Sequence, residues 1–310
     1  MSARVEGLPL VGPTTTSARR RRAAELLRDY INLTKPRIMA LLIITELTSM
    51  IVVKRGWPGA GQVAVALAGG ACASGGASAL NCWYDRNLDR LMHRTRNRPL
   101  PAGRIAPIAA LAFGITLTLV AGGLLWTLAN PLAALLAMAG SVYYVVLYTM
   151  ALKRHTRQNI VIGGAAGAFP VLVGSAIATG RVSWLALDLF AIVFFWTPPH
   201  FWSLALLLRR DYSGAKVPML PSVASARYTH RSMLGYLLVL VAVSLLPATT
   251  LGLWYAVPVA LLDAYYLMLA VQALRVHSDR ISARLFRYSL VYLAALFACS
   301  AAAALALGPA

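Results

Sequence analysis

Three oxygen-bearing side chains recur at intervals of four in the stretch GASALNCWYDRNLDRLMHRTRNRPLPAGR: Asn81, Asp85 and Asp89. On a helix this spacing stacks them on one face, drifting about 40° per step over roughly 12 Å. Hard oxygen donors of this kind suit Mg2+, which is commonly shared between one or two carboxylates and a substrate phosphate. Arg90, Arg94, Arg96 and Arg98 follow at once, and guanidinium forks hold phosphate oxygens in pairs. Carboxylates for a cation beside cations for a polyphosphate describe a metal–diphosphate site. The competing account is an interfacial helix laced with Asp–Arg pairs, each contributing about 0.2–0.5 kcal/mol. Asn81 favours the first account, because it continues the stripe yet has no charge to pair.

A second stretch, LLLRRDYSGAKVPMLPS, offers Asp211 and Lys216. A carboxylate four residues after Asp211 would have repeated the first motif; Ala215 stands there instead, so this stretch contributes one acid. Lys216 supplies a compact charge suited to a phosphate oxygen. Taken alone, the stretch reads equally well as an ordinary loop. Lys35 with Arg37 in LTKPRI, and Lys153 with Arg154 in YTMALKRHTRQNIVIGG, sit where topological charges belong in any case. Asn159 is uncharged and topology does not explain it. In FFWTPPHFW, His200 lies among Trp196, Phe201 and Trp202. Such a wall suits a large flat ligand or an isoprenoid chain. The alternative is an imidazole that satisfies backbone opened by Pro198 and Pro199. Tyr143, Tyr144 and Tyr148 are either interface anchors or pocket walls. Glu46, Asp188 and Asp263 are the remaining acids inside apolar runs.

The elements that must carry these residues follow from composition. Of 310 residues 59% are hydrophobic and 13% charged, with 29 Lys and Arg against 10 Asp and Glu and a net charge of +19. Mean hydropathy is +0.67. Soluble domains carry about 25% charged residues, a disordered basic chain would be far less apolar, and a nucleic-acid binder would match the charge but not the hydropathy. Cys72, Cys82 and Cys299 form no CxxC or zinc-like spacing. A polytopic, all-α membrane protein remains.

Nine apolar runs are long enough to span, at 38–53, 60–80, 105–126, 131–149, 160–179, 184–208, 233–253, 255–273 and 288–307. The one-residue gap between the seventh and eighth permits either a tight re-entry or one long kinked helix. With nine spans, all but three of the 29 Lys and Arg (Lys54, Arg55 and Arg181) fall on the side of the N-terminus. The positive-inside rule therefore places the N-terminus in the cytoplasm and the C-terminus outside. Residues 1–27, with TTTSARRRR and no apolar core, read as a basic, disordered cytoplasmic arm near anionic lipid rather than a signal peptide. Residues 28–310 form one transmembrane domain. The long connections 81–104 and 209–232 both lie on the basic side, so chemistry is expected at the cytoplasmic mouth.

These residues resemble a known family. NCWYDRNLDRLMHRTRNRPLPAG resembles the first aspartate-rich motif of the UbiA-like, membrane-embedded prenyltransferases. TKPRI, YTMALKRHTRQNIVIGGAAGAFP, TPPHFW and DYSGAKVPMLP together resemble its haem-using branch, the protohaem IX farnesyltransferases or haem O synthases. The likeness runs from residue 28 to about 300.

The resemblance implies nine transmembrane helices around a central cavity, in a multi-pass cell (inner) membrane protein. It implies Mg2+-dependent transfer of a farnesyl group from farnesyl diphosphate to a vinyl group of haem B, with water addition. Asn81, Asp85, Asp89 and Asp211 would hold the metal, and Asp85, Asp89, Asp211 and Lys216 would be the catalytic set. Lys35, Arg94, Arg98, Lys153, Arg154 and Lys216 would hold the diphosphate. Tyr148, Asn159, Trp196 and His200 would line the haem or farnesyl group. Ala215 departs from the acidic pair usual in the wider superfamily, a departure characteristic of the haem-using branch. Haem A synthase or the terminal oxidase assembly would be an associate, with membrane lipid as the surroundings and no nucleic acid. The rivals are a quinone-precursor prenyltransferase on the same scaffold and, in another class, a transporter, for which the sequence offers neither inverted repeats nor paired broken helices.

Overall fold

A computed structural model describes residues 15–308. Its helices are α1 (Thr15–Leu33), α2 (Pro36–Lys54), α3 (Ala60–Leu91), α4 (Pro107–Leu128) and α5 (Pro131–Val142), the last continued by a π-helical segment, Tyr143–Leu152. Then follow α6 (Asn159–Gly163), a 3-10 turn (Gly164–Gly167), α7 (Phe169–Thr179), α8 (Trp184–Leu207), and the short α9 (Arg209–Gly214) and α10 (Leu220–Val223). The chain ends in α11 (Ala226–Ser244), α12 (Ala248–Leu251), α13 (Leu253–Arg275) and α14 (Asp279–Leu307). Among the described residues nine spans are long and apolar enough to cross a membrane: α2, α3, α4, α5 with its π segment, α6–α7, α8, α11–α12, α13 and α14. The protein is an all-α, polytopic membrane protein, and all three cysteines are free.

Helix boundaries depart from hydropathy where polar residues prolong a helix beyond the bilayer. The second span does not stop near residue 80; α3 winds on to Leu91 as a 32-residue helix and carries Asn81, Asp85 and Asp89 outward on one rigid body. The basic arm, expected to be irregular over 1–27, is helical from Thr15. Its Ala, Arg, Leu and Glu are good helix formers, and its last turn is anchored by Leu33, 1% exposed. Residues 1–14 of that arm lie outside the described residues. The junction between the seventh and eighth spans is a tight re-entry. Gly252 makes it with φ 72 and ψ −166, a conformation essentially confined to glycine.

Two sets of connections gather at opposite ends of the bundle. At one end the short ones meet: Arg55 donates to the Thr250 carbonyl (3.4 Å), Gln62 to that of Ile177 (3.0 Å) and Asn130 to that of Ala176 (2.8 Å). At the other end, the start of α2 meets the ends of α3 and of the π segment, which is where the polar residues converge. Mid-bundle, Asp263 of α13 accepts from Ser244 (2.8 Å) and Tyr292 (2.7 Å), tying α11 and α14 to α13.

The face of α3 behind the stripe is made of small residues. A Cβ on Gly76 would lie 2.9 Å from both the Gly114 carbonyl and the Thr118 amide of α4, so the two backbones are in near contact, as small residues allow in membrane bundles. Gly76→Ala should wedge α3 from α4 and cost about 1–3 kcal/mol, read as a lowered melting temperature in detergent. Gly123→Ala on α4, where a Cβ meets nothing within 4 Å, should leave the melt unchanged.

Candidate active site

The stripe on α3 is buried throughout: Asn81 and Asp89 are 3% exposed and Asp85 1%. A carboxylate that deep is tolerated only when paired, and each of these is. Asp85 accepts from Arg154 at 3.0 Å through one oxygen, and from Lys153 and the Asn81 amide (3.0 Å) through the other. Asp89 accepts from Arg98 at 2.9 Å. The Asn81 carbonyl accepts from Lys35 at 2.6 Å. Burial works against the Arg98 guanidinium, yet the adjacent Asp89 carboxylate leaves its pKa above the ordinary value.

Three separate elements bring these cations in. Lys35 stands in the elbow between α1 and α2 with φ 53 and ψ 64. Pro36 disfavours the right-handed helical region for the residue before it, and the left-handed turn swings the Lys35 ammonium onto Asn81 and the Tyr144 hydroxyl (3.3 Å). Arg98 comes from the connection after α3, where Thr95 donates to the Asp89 carbonyl (3.0 Å). Lys153 and Arg154 leave the end of the π segment, and Arg154 also covers the Tyr84 ring at 4.7 Å.

The π segment explains a contributor that the sequence reading missed, Thr149, and why it acts together with Tyr144, which that reading left as an interface anchor or a pocket wall. Residues five apart lie about 140° apart on an α-helix, so Tyr144 and Thr149 were not expected to act together. The i→i+5 winding turns them towards one face. Fully buried Thr149 donates to the Tyr144 carbonyl (2.8 Å) and accepts from the Asn81 amide (3.0 Å). Asn81 is thereby held with its nitrogen towards Asp85 and its oxygen towards Lys35. The useful signal was a β-branched hydroxyl residue next to Tyr148, inside a span and four residues before a lysine.

Asn159, 0% exposed, donates to the Lys153 carbonyl at 3.3 Å and so shapes the loop that presents Lys153 and Arg154. Tyr148 stacks on Tyr144 at 5.7 Å and lies where a Cβ on Gly163 would intrude. Tyr148 and Phe201 both pack against the cluster that holds Leu88, Ile160 and Ala205, and the Phe201 and His200 rings meet at 5.3 Å. His200 is sandwiched between Trp196 (4.2 Å) and Phe286 (5.0 Å). Its Nδ1 is engaged by Ser289 at 2.7 Å, and the Trp196 N–H donates to the Ser289 carbonyl at 2.8 Å. Both side chains thus fasten α8 to α14, and α8 keeps its winding through Pro198 and Pro199.

The second stretch reaches the first through packing. Tyr212, Ala215 and Met219 cluster with Leu88 and Met92 at the end of α3. Burial raises the Tyr212 hydroxyl pKa, Arg94 and Arg98 pull it down and Asp211 pushes it up, so all three charges surround this seam. Ala215 fills a buried apolar position there, where a carboxylate would be desolvated among apolar side chains. Lys216 is exposed, at φ 55, and Arg94 is also exposed. Asp211, half-buried, lines a separate cavity of about 640 Å³ with Arg209, Arg210, His230, His277 and Asp279; it pairs with none of the stripe residues.

Among the described residues no three His, Cys, Asp or Glu side chains converge into a self-sufficient metal cage. Two carboxylates and one amide oxygen suit Mg2+ when a polyphosphate and water complete its shell. The geometry fits a metal that arrives with a substrate. Thr149→Val keeps the shape but leaves the buried Asn81 amide short of an acceptor; a loss of about 1–3 kcal/mol is expected, measurable as a lower melting temperature in detergent.

The profile of the UbiA prenyltransferase family matches residues 42–293. A protoheme IX farnesyltransferase of Parafrankia sp. is 44% identical over 303 residues, covering 96% of each chain. The protein of that name from Nocardioides sp. is 44% identical over 288 residues, 90% of this chain and 92% of the relative. The one from Chloroflexus aurantiacus is 43% identical over 308 residues, 98% of this chain, which spans about half (52%) of that longer relative. Among solved structures, a digeranylgeranylglyceryl phosphate synthase superposes with a TM-score of 0.77 at 16% identity, covering 91% of this chain and 99% of its own. A UbiA homolog from Archaeoglobus fulgidus bound to GPP and Mg2+ gives 0.63 at 16% identity, covering 88% and 99%.

Proposed function

This chain belongs to the UbiA prenyltransferase family, and we propose that it transfers a farnesyl group from farnesyl diphosphate to a vinyl group of protohaem IX (haem B), with Mg2+ as cofactor. The observation that carries the reading is the buried Asn81–Asp85–Asp89 stripe, ringed by Lys35, Lys153, Arg154 and Arg98. Relatives that are 43–44% identical and bear the name protoheme IX farnesyltransferase support the acceptor, and the Archaeoglobus relative's GPP and Mg2+ support the donor and the metal.

Asn81, Asp85 and Asp89 would hold the metal, while Asp211 of the second stretch faces a separate cavity. A divalent metal held there would supply charge neutralisation for the departing diphosphate. Lys153, Arg154, Arg98 and Lys35, paired with the stripe in the absence of substrate, have diphosphate oxygens as their alternative partners; exposed Arg94 and Lys216 reach the same charge from the rim. This preset field stabilises the negative charge that grows as the allylic C–O bond breaks and its electron pair leaves with diphosphate. The vinyl π electrons then form the new bond to C1, water captures the resulting cation beside the porphyrin, and a proton is lost. The product, haem O, carries a hydroxyethylfarnesyl side chain. Tyr144 and Tyr148 present π faces suited to an allylic cation, and the aromatic side chains of Tyr148, Phe201, His200 and Trp196 exclude water from the farnesyl chain and the acceptor. The reacting end faces the cytoplasm with the N-terminus, and the C-terminus lies outside, in the cell (inner) membrane. Association with haem A synthase or the terminal oxidase assembly follows from the resemblance.

The test is incubation of purified protein with farnesyl diphosphate, Mg2+ and either haem B or a phenolic quinone precursor, followed by mass analysis. Haem B should gain one farnesyl group and one hydroxyl group. A farnesylated quinone precursor beside unmodified haem would overturn the assignment. Asp85→Asn should lower turnover by about 100-fold or more while inserting normally, since topology is read from Lys and Arg; chelation of divalent metal should do the same and be reversed by added Mg2+.

A further inference from the structure

The two cations at the ends of the stripe, Lys35 on Asn81 and Arg98 on Asp89, come from segments 63 positions apart in sequence, and one guanidinium joins those segments. Arg104 donates through Nε to one oxygen of Asp29 (2.8 Å) and through Nη2 to the other (3.1 Å). The same Nη2 donates to the Asn97 carbonyl at 3.2 Å. Asp29 is on α1, five residues before Thr34 and six before Lys35; Asn97 immediately precedes Arg98. We propose that Arg104 and Asp29 form a positioning brace, which sets where Lys35 and Arg98 stand over the metal–diphosphate site and so governs affinity for the diphosphate of the prenyl donor. The inference rests on the diphosphate reading of the stripe.

Three further observations support the brace. First, Lys35 holds a left-handed conformation, which is strained for a residue with a Cβ, so something on both sides of the elbow must hold it. On the far side, α2 begins with Pro36. On the near side, Leu33 is sunk among Ala79, Cys82, Leu100 and Ile105, Tyr30 meets Phe113 edge-on at 5.0 Å, and Asp29 is clamped by Arg104. Second, the pair is bidentate, the arrangement in which a fork fixes orientation as well as distance. Third, Asp29 is 8% exposed although it belongs to a helix whose residues 22–28 are all exposed; its burial is explained by this contact. Neither residue touches the stripe, so neither is a catalytic residue. They act through Lys35 and Arg98.

The experiment measures binding and turnover in detergent for wild type, Asp29→Asn, Arg104→Gln, the milder Arg104→Lys and the reversal Asp29→Arg with Arg104→Asp. Calorimetric titration with inorganic diphosphate and Mg2+ reads the site directly, and steady-state kinetics separate the two substrates. Each neutralising variant should weaken diphosphate binding and raise KM for farnesyl diphosphate about tenfold, with KM for the acceptor within about twofold. Arg104→Lys, which keeps the charge and loses the fork, should fall between, and the reversal should recover at least half of the lost affinity on a logarithmic scale. A purely structural pair would lower the melting temperature and the active fraction while leaving both KM values unchanged; that result, or an unrecovered reversal, overturns the brace. Wild-type protein that binds no diphosphate would sink the donor reading and the brace together, whereas wild-type binding matched by all variants would sink the brace alone.

Discussion

Two buried carboxylates set the terms for the rest of the molecule. Asp85 and Asp89 sit at 1% and 3% exposure on the inward face of a membrane-spanning helix, where an unpaired charge costs several kcal/mol. They persist because Lys153, Arg154 and Arg98 reach them. Lys35 and the Lys153–Arg154 pair belong to segments far from α3 in sequence and Arg98 to the connection just after it, so the site exists only where three chain segments close over one helix end. Balanced charge of this kind is also convertible. On the proposed function, the cations that neutralise these carboxylates in the resting site would turn to the diphosphate once a metal engaged the carboxylates, so no cationic side chain has to be brought in from elsewhere.

The scaffold is least regular around that closure. The span ending in Lys153 and Arg154 is π-wound over Tyr143–Leu152, and the next is divided by a 3-10 turn at Gly164–Gly167. Backbone irregularity at membrane depth is tolerated only where protein or a polar cavity satisfies the freed groups. Here Thr149 engages the Tyr144 carbonyl, and Asn159 engages that of Lys153. Gly163 and Gly164 leave room for Tyr148 and Thr197 to press in. The irregularity is what turns Thr149 and Tyr144 towards α3, so distortion and function have the same origin.

The two aspartate stretches are unequal, and packing gives the reason. On α3 the stripe faces cations. In the second stretch Ala215 faces Leu88 and Met92 in an apolar cluster, which ties the loop to α3 without adding charge, and Asp211 is left at the mouth of another cavity. The imidazole of His200 is likewise engaged on one edge by Ser289 and covered on both faces by Trp196 and Phe286. It forms part of a stiff aromatic wall joined to α14, a surface suited to a flat acceptor and an isoprenoid chain.

By itself the sequence determined the class and the nine spans and singled out the Asn81–Asp85–Asp89 stripe, because hydropathy, charge asymmetry and four-residue spacing are local properties of the chain. Lys35, Arg98, Lys153 and Arg154 could be named from the same information, though topology explained them equally well until their partners were seen. Only the tertiary structure decided that Thr149 orients Asn81, that Arg104 spans Asp29 and Asn97, that α1 is helical from Thr15, and that Ala215 is sealed against Leu88. Each of these depends on a contact between distant segments or on a helix leaving α-periodicity. A one-dimensional pattern records how often a residue type recurs along the chain; it holds no record of which buried charge will meet which donor once the helices pack.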